Sequence, residues 1–257
     1  MANVAITGGT GSVGKEAIEA LSDHETTVMA RSEHETVNVV ELDVTDRDRF
    51  VEVLDGQDVL VHLAANSSPF ADWDEVVEPN IEGTYNAYHA ALECDLDRVV
   101  FASTNHVVHM YNAADPSEPE SLINRPRPVT SSEPARPDSY YGVSKVAGEA
   151  LGAYTADRFG LEVINLRIGW LMTEAELETT QEESADHARF ARAMYLSPRD
   201  CRDAIYRSIT EPIDESPLTC QIISLNDERY FSLIEATTGL GYRPRDNSSD
   251  VLAERAN

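Results

Sequence analysis

The sequence predicts an α/β domain built on a doubly wound parallel sheet, and three observations predict it. A short apolar run, Asn3–Ile6, opens into Thr7-Gly8-Gly9-Thr10-Gly11-Ser12-Val13-Gly14 and then into a helical pattern over Lys15–Leu21. Further apolar runs alternate with helical stretches, as in a parallel sheet with crossover helices. Finally, Tyr141 and Lys145 sit four residues apart in a segment that reads as helical from about Tyr140 to Arg158, so they share one helix face.

The glycine spacing Gly8-x-x-Gly11-x-x-Gly14 lies between a strand and a helix. Such glycines give a tight turn, close approach of backbone to a pyrophosphate, and close helix-on-strand packing, while the helix N-terminus offers N–H groups and positive dipole to phosphate. This predicts a Rossmann-type dinucleotide site. Thr26–Ala30 reads as the second strand, and the Arg31-Ser32 that follows suits a 2′-phosphate, so the local chemistry leans to NADP; Glu33 and Glu35 keep NAD open. Val39–Leu42 is a third strand, after which Asp43 and Val44 are placed to touch the adenine, the first by hydrogen bond and the second by packing. Arg47–Leu54 is a crossover helix, Val59–Leu63 a buried fourth strand, and Ala64-Ala65-Asn66 a small-residue turn for a cofactor to cross.

Trp73–Cys94 reads as one long helix containing Asn80, a polar residue that is costly to bury unless hydrogen-bonded. It is either a satisfied core residue or a support for proton relay. Arg98–Ala102 is the fifth strand, and Ser103-Thr104-Asn105-His106 at its C-terminal end lies where ligands bind in doubly wound sheets. Residues 112–138 hold six of the twelve prolines and show no periodicity. A loop of that length in a compact domain reads as a lid over the pocket. Val163–Ile168 is the sixth strand. Glu174–Asp186 is acid-rich and reads as solvated, His187–Leu196 as helical, Gln221–Leu225 as a short strand and Phe231–Thr238 as a short helix, with order ending at Gly241-Tyr242-Arg243-Pro244. Residues 1–170 form the dinucleotide-binding domain, and 171–257 a small C-terminal substrate-binding part interleaved with the same fold.

Composition limits the partners. Acidic residues number 46 against 20 basic ones among 257, for a net charge of −26, a field that repels nucleic acid and anionic membranes. The 42% apolar fraction supports a real core, and acids spread over the whole length suggest adaptation to high salt. Of the basic residues only Lys15 and Lys145 are lysines. A chain that has shed lysine almost everywhere yet keeps one in Tyr-x-x-x-Lys has a use for it. A buried ammonium there would lower the phenol pKa from ~10 towards neutrality, making Tyr141 a general base. Cys94, Cys201 and Cys220 are widely spaced, with neither a Cys-x-x-Cys pair nor a metal pattern, which fits reduced thiols in a cytoplasmic protein. No apolar run is long enough to cross a membrane, and no signal peptide is expected.

The glycine spacing, Asn80-x-x-Gly83-Thr84 and Tyr141-x-x-x-Lys145 together resemble the extended short-chain dehydrogenase/reductase superfamily. Within it, residues 101–106, Tyr140–Lys145 and Arg167-Ile168-Gly169 resemble the uronate dehydrogenases and, equally, the haloarchaeal sugar-phosphate dehydrogenases. The resemblance implies Tyr141 as the base taking the substrate hydroxyl proton, Lys145 lowering its pKa and holding the nicotinamide ribose, and Thr104 binding the reacting oxygen. It implies a cofactor-binding set of Gly8, Gly11, Ser12, Val13, Gly14, Arg31, Ser32, Asp43, Val44, Leu63, Ala64, Ala65, Asn80, Tyr141, Lys145 and Ile168. The sugar site would draw on Ser103, Thr104, Asn105, His106 and Trp170, the last standing where the uronate enzymes carry a small hydroxyl. The family's anion-binding arginine has no clean match; Arg189 and Arg192 are the nearest, as anion ligands or as surface residues.

The expected activity is oxidation of a sugar, sugar acid or sugar phosphate at the anomeric hydroxyl to the lactone with reduction of NAD(P), in a homodimer packed through the helices around 82–94 and 141–158. Two alternatives share the fold. A nucleotide-sugar epimerase or dehydratase with tightly bound NAD usually carries a larger C-terminal part than the roughly 85 residues after Trp170. A non-catalytic dinucleotide-binding sensor has no need of Thr104, Tyr141 and Lys145.

Overall fold

A computed structural model describes residues 1–255. Its elements are β1 (Asn3–Thr7), α1 (Ser12–Ala20), β2 (Glu25–Ala30), β3 (Val40–Glu41), α2 (Arg47–Leu54), β4 (Val59–His62), α3 (Trp73–Val76), α4 (Gly83–Glu93), β5 (Arg98–Thr104), α5 (Tyr140–Phe159), β6 (Glu162–Ile168), β7 (Trp170–Leu171), α6 (Glu174–Thr180), α7 (Ala185–Met194), β8 (Tyr195–Leu196), α8 (Pro198–Thr210), β9 (Leu218–Ile222), α9 (Ile234–Gly239) and α10 (Ser248–Arg255). Seven strands form one sheet in the order β3-β2-β1-β4-β5-β6-β9, and every pairing is parallel. The order reverses between β1 and β4, so the crevice beyond their C-terminal ends is the natural ligand site.

Alternation along β1 feeds both faces of the sheet. Val4 and Ile6 join the core beneath α1 and α8, whereas Ala5 packs with Phe50, Leu60 and Tyr88 on the side of α2 and α4. Helix α8, which no sequence pattern singled out, closes the first face; it begins with Ser197 accepting from Asp200 N and Pro198 at its first position, and Arg202 ties it to Glu16 of α1.

Four expectations need correction. The helix over 73–94 is not continuous, because a π-helical turn, Val77–Glu82, separates α3 from α4. Pro79 inside it has no N–H for the α-helical ladder, and such bulges often mark functional positions. The fifth strand runs on through Ser103 and Thr104, which pair with Arg167 and Ile168 of β6. The acid-rich stretch after Thr173 is not simply solvated: it forms α6 with a Thr173–Glu176 capping box and a buried Leu177. Order also continues past Pro244 into α10, because Ser248 N donates to Asn226 Oδ1 (3.1 Å) and Ser248 Oγ to Arg192 O (2.9 Å).

The proline-rich insertion is fastened along its length. Leu122 and Val129 are fully buried, Val129 N donates to Tyr230 O (2.8 Å), and Asn112 exchanges two hydrogen bonds with Arg127 (2.9 Å each). His109 joins the same core, with Nδ1 2.6 Å from Tyr230 Oη and Nε2 2.7 Å from Ser121 O.

Two buried imidazoles give a pH signature. Burial pushes His62, between Thr7 and Thr84, down to about 3, and His109 down to about 4. Both lie below the unfolded value of ~6.5, so in acid the unfolded chain takes up protons that the folded chain refuses. The stability they carry is complete above ~6.5 and drains as pH falls towards those folded values, by up to about 1.4 kcal/mol per pH unit for each. Urea unfolding at fixed salt should show this loss between about pH 7 and 5, with a shallower slope in His62→Gln. A slope identical in the two proteins would count against the assignment.

Candidate active site

One cleft of about 1050 Å³ runs across the C-terminal edge of the sheet, from the glycine turn after β1 to Trp170 and Phe190. Its head is shaped by backbone. Gly8 has φ +68°, and a Cβ there would lie 2.8 Å from Ala64 N, so only glycine lets the β1 turn pass under the β4 turn. Thr7 Oγ1 fixes that crossing by accepting from Leu63 N (3.1 Å) and Ala64 N (3.2 Å). Gly11 caps α1 without a side-chain hydrogen bond, and the first turn of the helix lies at the cleft. The bare N–H groups and positive end of α1 suit a pyrophosphate. Ser12, Val13 and Gly14 line this end, and Gly14 sits against the backbone of Gly8 and Gly9.

Farther along, Arg31, Asp43, Val44, Leu63, Ala64, Ala65 and Ile168 all line the cleft, together with Met29, Leu42 and Thr45. Asp43 accepts from both Thr45 N (2.9 Å) and Thr45 Oγ1 (2.8 Å), bonds that hold its carboxyl below the ordinary carboxylate range. These walls fit an extended dinucleotide: a glycine cradle for phosphates, apolar side chains for adenine, and charged groups at the ribose position. Ser32 is not among the lining residues, and neither is Asn80.

Asn80 is instead the satisfied core residue of the two readings. Its Oδ1 accepts from Asn66 N (2.7 Å), and its Nδ2 donates to Asn66 O (2.9 Å) and Ser144 Oγ (2.9 Å). It thereby clamps the turn after β4 to α5.

At the floor, Thr104, Asn105, His106, Tyr141 and Lys145 converge, all buried. Ser139 caps α5 by accepting from Gly142 N (3.1 Å), and a Cβ on Gly142 would meet His106 O at 2.7 Å. The helix therefore starts in contact with the segment after β5. Its next turns lie equally close, since a Cβ on Gly148 would stand 2.3 Å from the Phe101 ring. Lys145 Nζ consequently sits 4.8 Å from the Phe101 ring centre and 5.9 Å from that of Tyr141. Burial pushes the Tyr141 phenol up to about 12, opposed by a hydrogen bond from Thr104, and pushes the Lys145 ammonium down to about 7. A phenol brought towards neutrality is thus not what the protein alone produces, because desolvation outweighs the hydrogen bond from Thr104. The same burial leaves Lys145 holding its proton loosely, as a relay requires, whereas Lys15 in the first turn of α1 is exposed.

His106 Nδ1 pairs with Asp138 (2.9 Å), which leaves Nε2 as the acceptor nitrogen, and the ring lies edge-on to Tyr141 at 5.9 Å. Asn105 Nδ2 is buried with no protein partner, a donor in reserve beside the cleft. Ser103 lines the cleft, but its hydroxyl is committed to Glu149 (2.5 Å), which also receives Arg167 Nε and Nη2 (2.8 Å each). Trp170 forms part of the far wall.

Neither arginine reaches the cleft. Arg189 donates to Leu122 O through Nε (3.1 Å) and Nη2 (2.8 Å), and Arg192 binds Glu228 (2.6 Å) and Gln181 (2.7 Å). Their helical spacing was right, but α7 turns that face to the insertion and to α6. Among the lining residues that escaped sequence reasoning are Phe190, hidden in an ordinary amphipathic helix, and Glu120, in a stretch without periodicity. Among the described residues there is no His, Cys, Asp or Glu cluster fit for a metal ion, and no helix is long and apolar enough to cross a membrane.

A parallel seven-stranded sheet, a glycine cradle and a Thr/Tyr/Lys floor define a dinucleotide-dependent α/β enzyme of the extended short-chain class. The chain belongs to the NAD dependent epimerase/dehydratase family, whose pattern it matches over residues 4–201. It is 54% identical over 253 residues to the L-arabinose 1-dehydrogenase (NAD(P)(+)) of Haloferax volcanii, covering 98% of this chain and 100% of that one. It is 34% identical over 220 residues to the NAD-dependent glucose-6-phosphate dehydrogenase of the same organism, covering 86% and 80%. The crystal structure of uronate dehydrogenase from Agrobacterium tumefaciens superposes with a TM-score of 0.78 at 26% identity, covering 100% of this chain and 89% of that one.

The Gly8 crossing gives a direct test. Gly8→Ala places a methyl against Ala64 in a left-handed conformation, so NAD(P) affinity measured by calorimetry should fall at least about tenfold, and stability by ~1–2 kcal/mol. Unchanged affinity would show that the turn does not shape the cofactor site.

Proposed function

We propose that the substrate is a neutral aldose of the L-arabinose type, oxidised at C1 through Tyr141, with Thr104 and Lys145 in support. The enzyme is an NAD(P)-dependent sugar dehydrogenase that oxidises the anomeric hydroxyl to the lactone. The observation that carries the reading is the meeting of Thr104, His106, Tyr141 and Lys145 at one end of a cleft whose other end is the glycine cradle. The 54% identity to the arabinose enzyme, along the whole of both chains, supports the substrate class.

The roles follow from position. Tyr141 Oη takes the proton of the C1 hydroxyl, and Thr104 Oγ1 holds the same oxygen by hydrogen bond. Loss of hydride from C1 then leaves the C1=O of the lactone; the nicotinamide, when bound, supplies the acceptor. Lys145 passes the proton on from Tyr141, a role suited to its lowered pKa, while Asn105 Nδ2 donates to ring hydroxyls and His106 Nε2 accepts from them. Arg31 lines the cleft at the end of β2, which supports acceptance of NADP beside NAD. Trp170 narrows the sugar end of the cleft.

Initial rates with NAD and NADP against L-arabinose, glucose 6-phosphate and D-galacturonate test this reading. Turnover of L-arabinose should exceed that of the two anions, fall by ~10²–10⁴-fold in Tyr141→Phe with folding intact, and rise with pH because the phenolate is the active form. Equal turnover in Tyr141→Phe would remove the mechanism.

The net charge of −26 further supports a protein at home in concentrated salt, where its carboxylates are screened, and the three unpaired cysteines fit the cytoplasm. Exposed Tyr85, Val143, Tyr154 and Phe159 on the adjacent helices α4 and α5 support a homodimer through that face. Sedimentation in molar salt should then give twice the 28.4 kDa chain mass, with dissociation or unfolding in dilute buffer. A stable monomer in both would exclude that assembly and the salt dependence alike.

A further inference from the structure

We propose that Glu120 is a specificity-determining residue: its carboxylate, held at the sugar end of the cleft, accepts hydroxyl groups of an uncharged aldose and repels sugars bearing a carboxylate or phosphate. The proposal deepens the dehydrogenase reading and rests on it.

Glu120 lines the cleft with Trp170, Phe190 and His106. A chain of contacts runs from it to the reacting end. Its Oε2 is 3.8 Å from His187 Nδ1, the His187 ring stands edge-on to Trp170 at 5.5 Å, and Phe190 lies 6.0 Å from both Trp170 and His106. His106 in turn lies against Tyr141. A sugar whose C1 faces Tyr141 therefore presents its opposite edge to Glu120.

The backbone just after Glu120 is fastened in place. Ser121 O accepts from His109 Nε2 (2.7 Å), Leu122 N donates to Asp186 O (3.3 Å), and Leu122 O receives both Arg189 nitrogens (3.1 and 2.8 Å). Arg189, the nearest candidate for an anion ligand, is thus spent on anchoring the strap that carries an acid into the pocket. Arg192 is engaged by Glu228 and Gln181. The charged and titratable groups facing Glu120 are His187, His106 and the Asp138 paired with His106. Among the described residues no arginine joins them on the cleft wall beyond Arg31 at the far, cofactor end. Anionic substrates meet a carboxylate where an anion-selective pocket would offer a guanidinium, and like-charge juxtaposition discriminates strongly between partners.

D-Galactose and D-galacturonate test the charge term. Both share the ring stereochemistry of L-arabinose and differ from each other only at C6, a CH₂OH against a carboxylate, so their ratio cancels size. Wild-type enzyme needs no variant to fold, and its kcat/KM for galacturonate should be at least about tenfold below that for galactose. In Glu120→Gln, which keeps shape and hydrogen bonding, that ratio should rise at least about tenfold, while the Kd for the cofactor stays fixed. A purely structural role would lower both sugars together and leave the ratio unmoved. A wild-type ratio near one, or a ratio unchanged in Glu120→Gln, overturns the proposal while arabinose turnover keeps the dehydrogenase reading. If wild type turns over no aldose at all, the reading and the proposal fall together, an outcome distinct from either ratio result.

Discussion

The site depends on how closely α5 lies on β5. Glycines at 142 and 148 leave no room for a side chain between this helix and the strand, with hypothetical Cβ atoms 2.7 Å from His106 O and 2.3 Å from the Phe101 ring. That contact brings Tyr141 and Lys145 down to the level of Thr104 at the strand's end. It also removes the water that would solvate their charges, so the phenol is pushed up and the ammonium down by one cause. Geometry and proton affinity are therefore set together, and a change that loosened the packing would alter both.

Around this contact the protein spends buried polar groups on alignment. Asn80, freed by the π turn that Pro79 imposes, joins the turn after β4 to Ser144 of α5. Glu149 joins β5 to β6 through Ser103 and Arg167, and Arg167 reaches on to Ser131 O (3.1 Å) in the insertion. The turn after β4, helix α5 and the insertion are thus held to one frame. Each of these aligning groups has its partners, which is the condition for keeping such groups in a core.

Much of this was legible in the sequence because the relevant signals are local. A glycine triplet between strand and helix, a Tyr and Lys four apart, and small polar residues after an apolar run encode their positions through backbone chemistry and periodicity alone. The seven strands of the main sheet fell within a few residues of the expected bounds, as did α1, α2, α5, α7 and α9, whereas α6, α8 and α10 were not expected. What escaped depends on contacts distant in the chain. Ser103 turns its hydroxyl to Glu149, 46 residues away, and Arg189 meets Leu122, 67 residues away. No spacing rule reports such meetings. Glu120 was invisible for the same reason: an aperiodic stretch acquires meaning only when α7 and His109 pin it over the pocket.

The scarcity of lysine has a practical side. Lys145 is buried at 2% exposure, so an amine-directed reagent meets essentially the chain's first residue and Lys15. Lys15 stands one residue past Gly14, in the opening turn of the helix that heads the phosphate cradle. Coupling the folded protein to a support or dye through a lysine side chain would place the attachment beside the glycine turn after β1, whereas coupling through its abundant carboxylates would spread it over the surface.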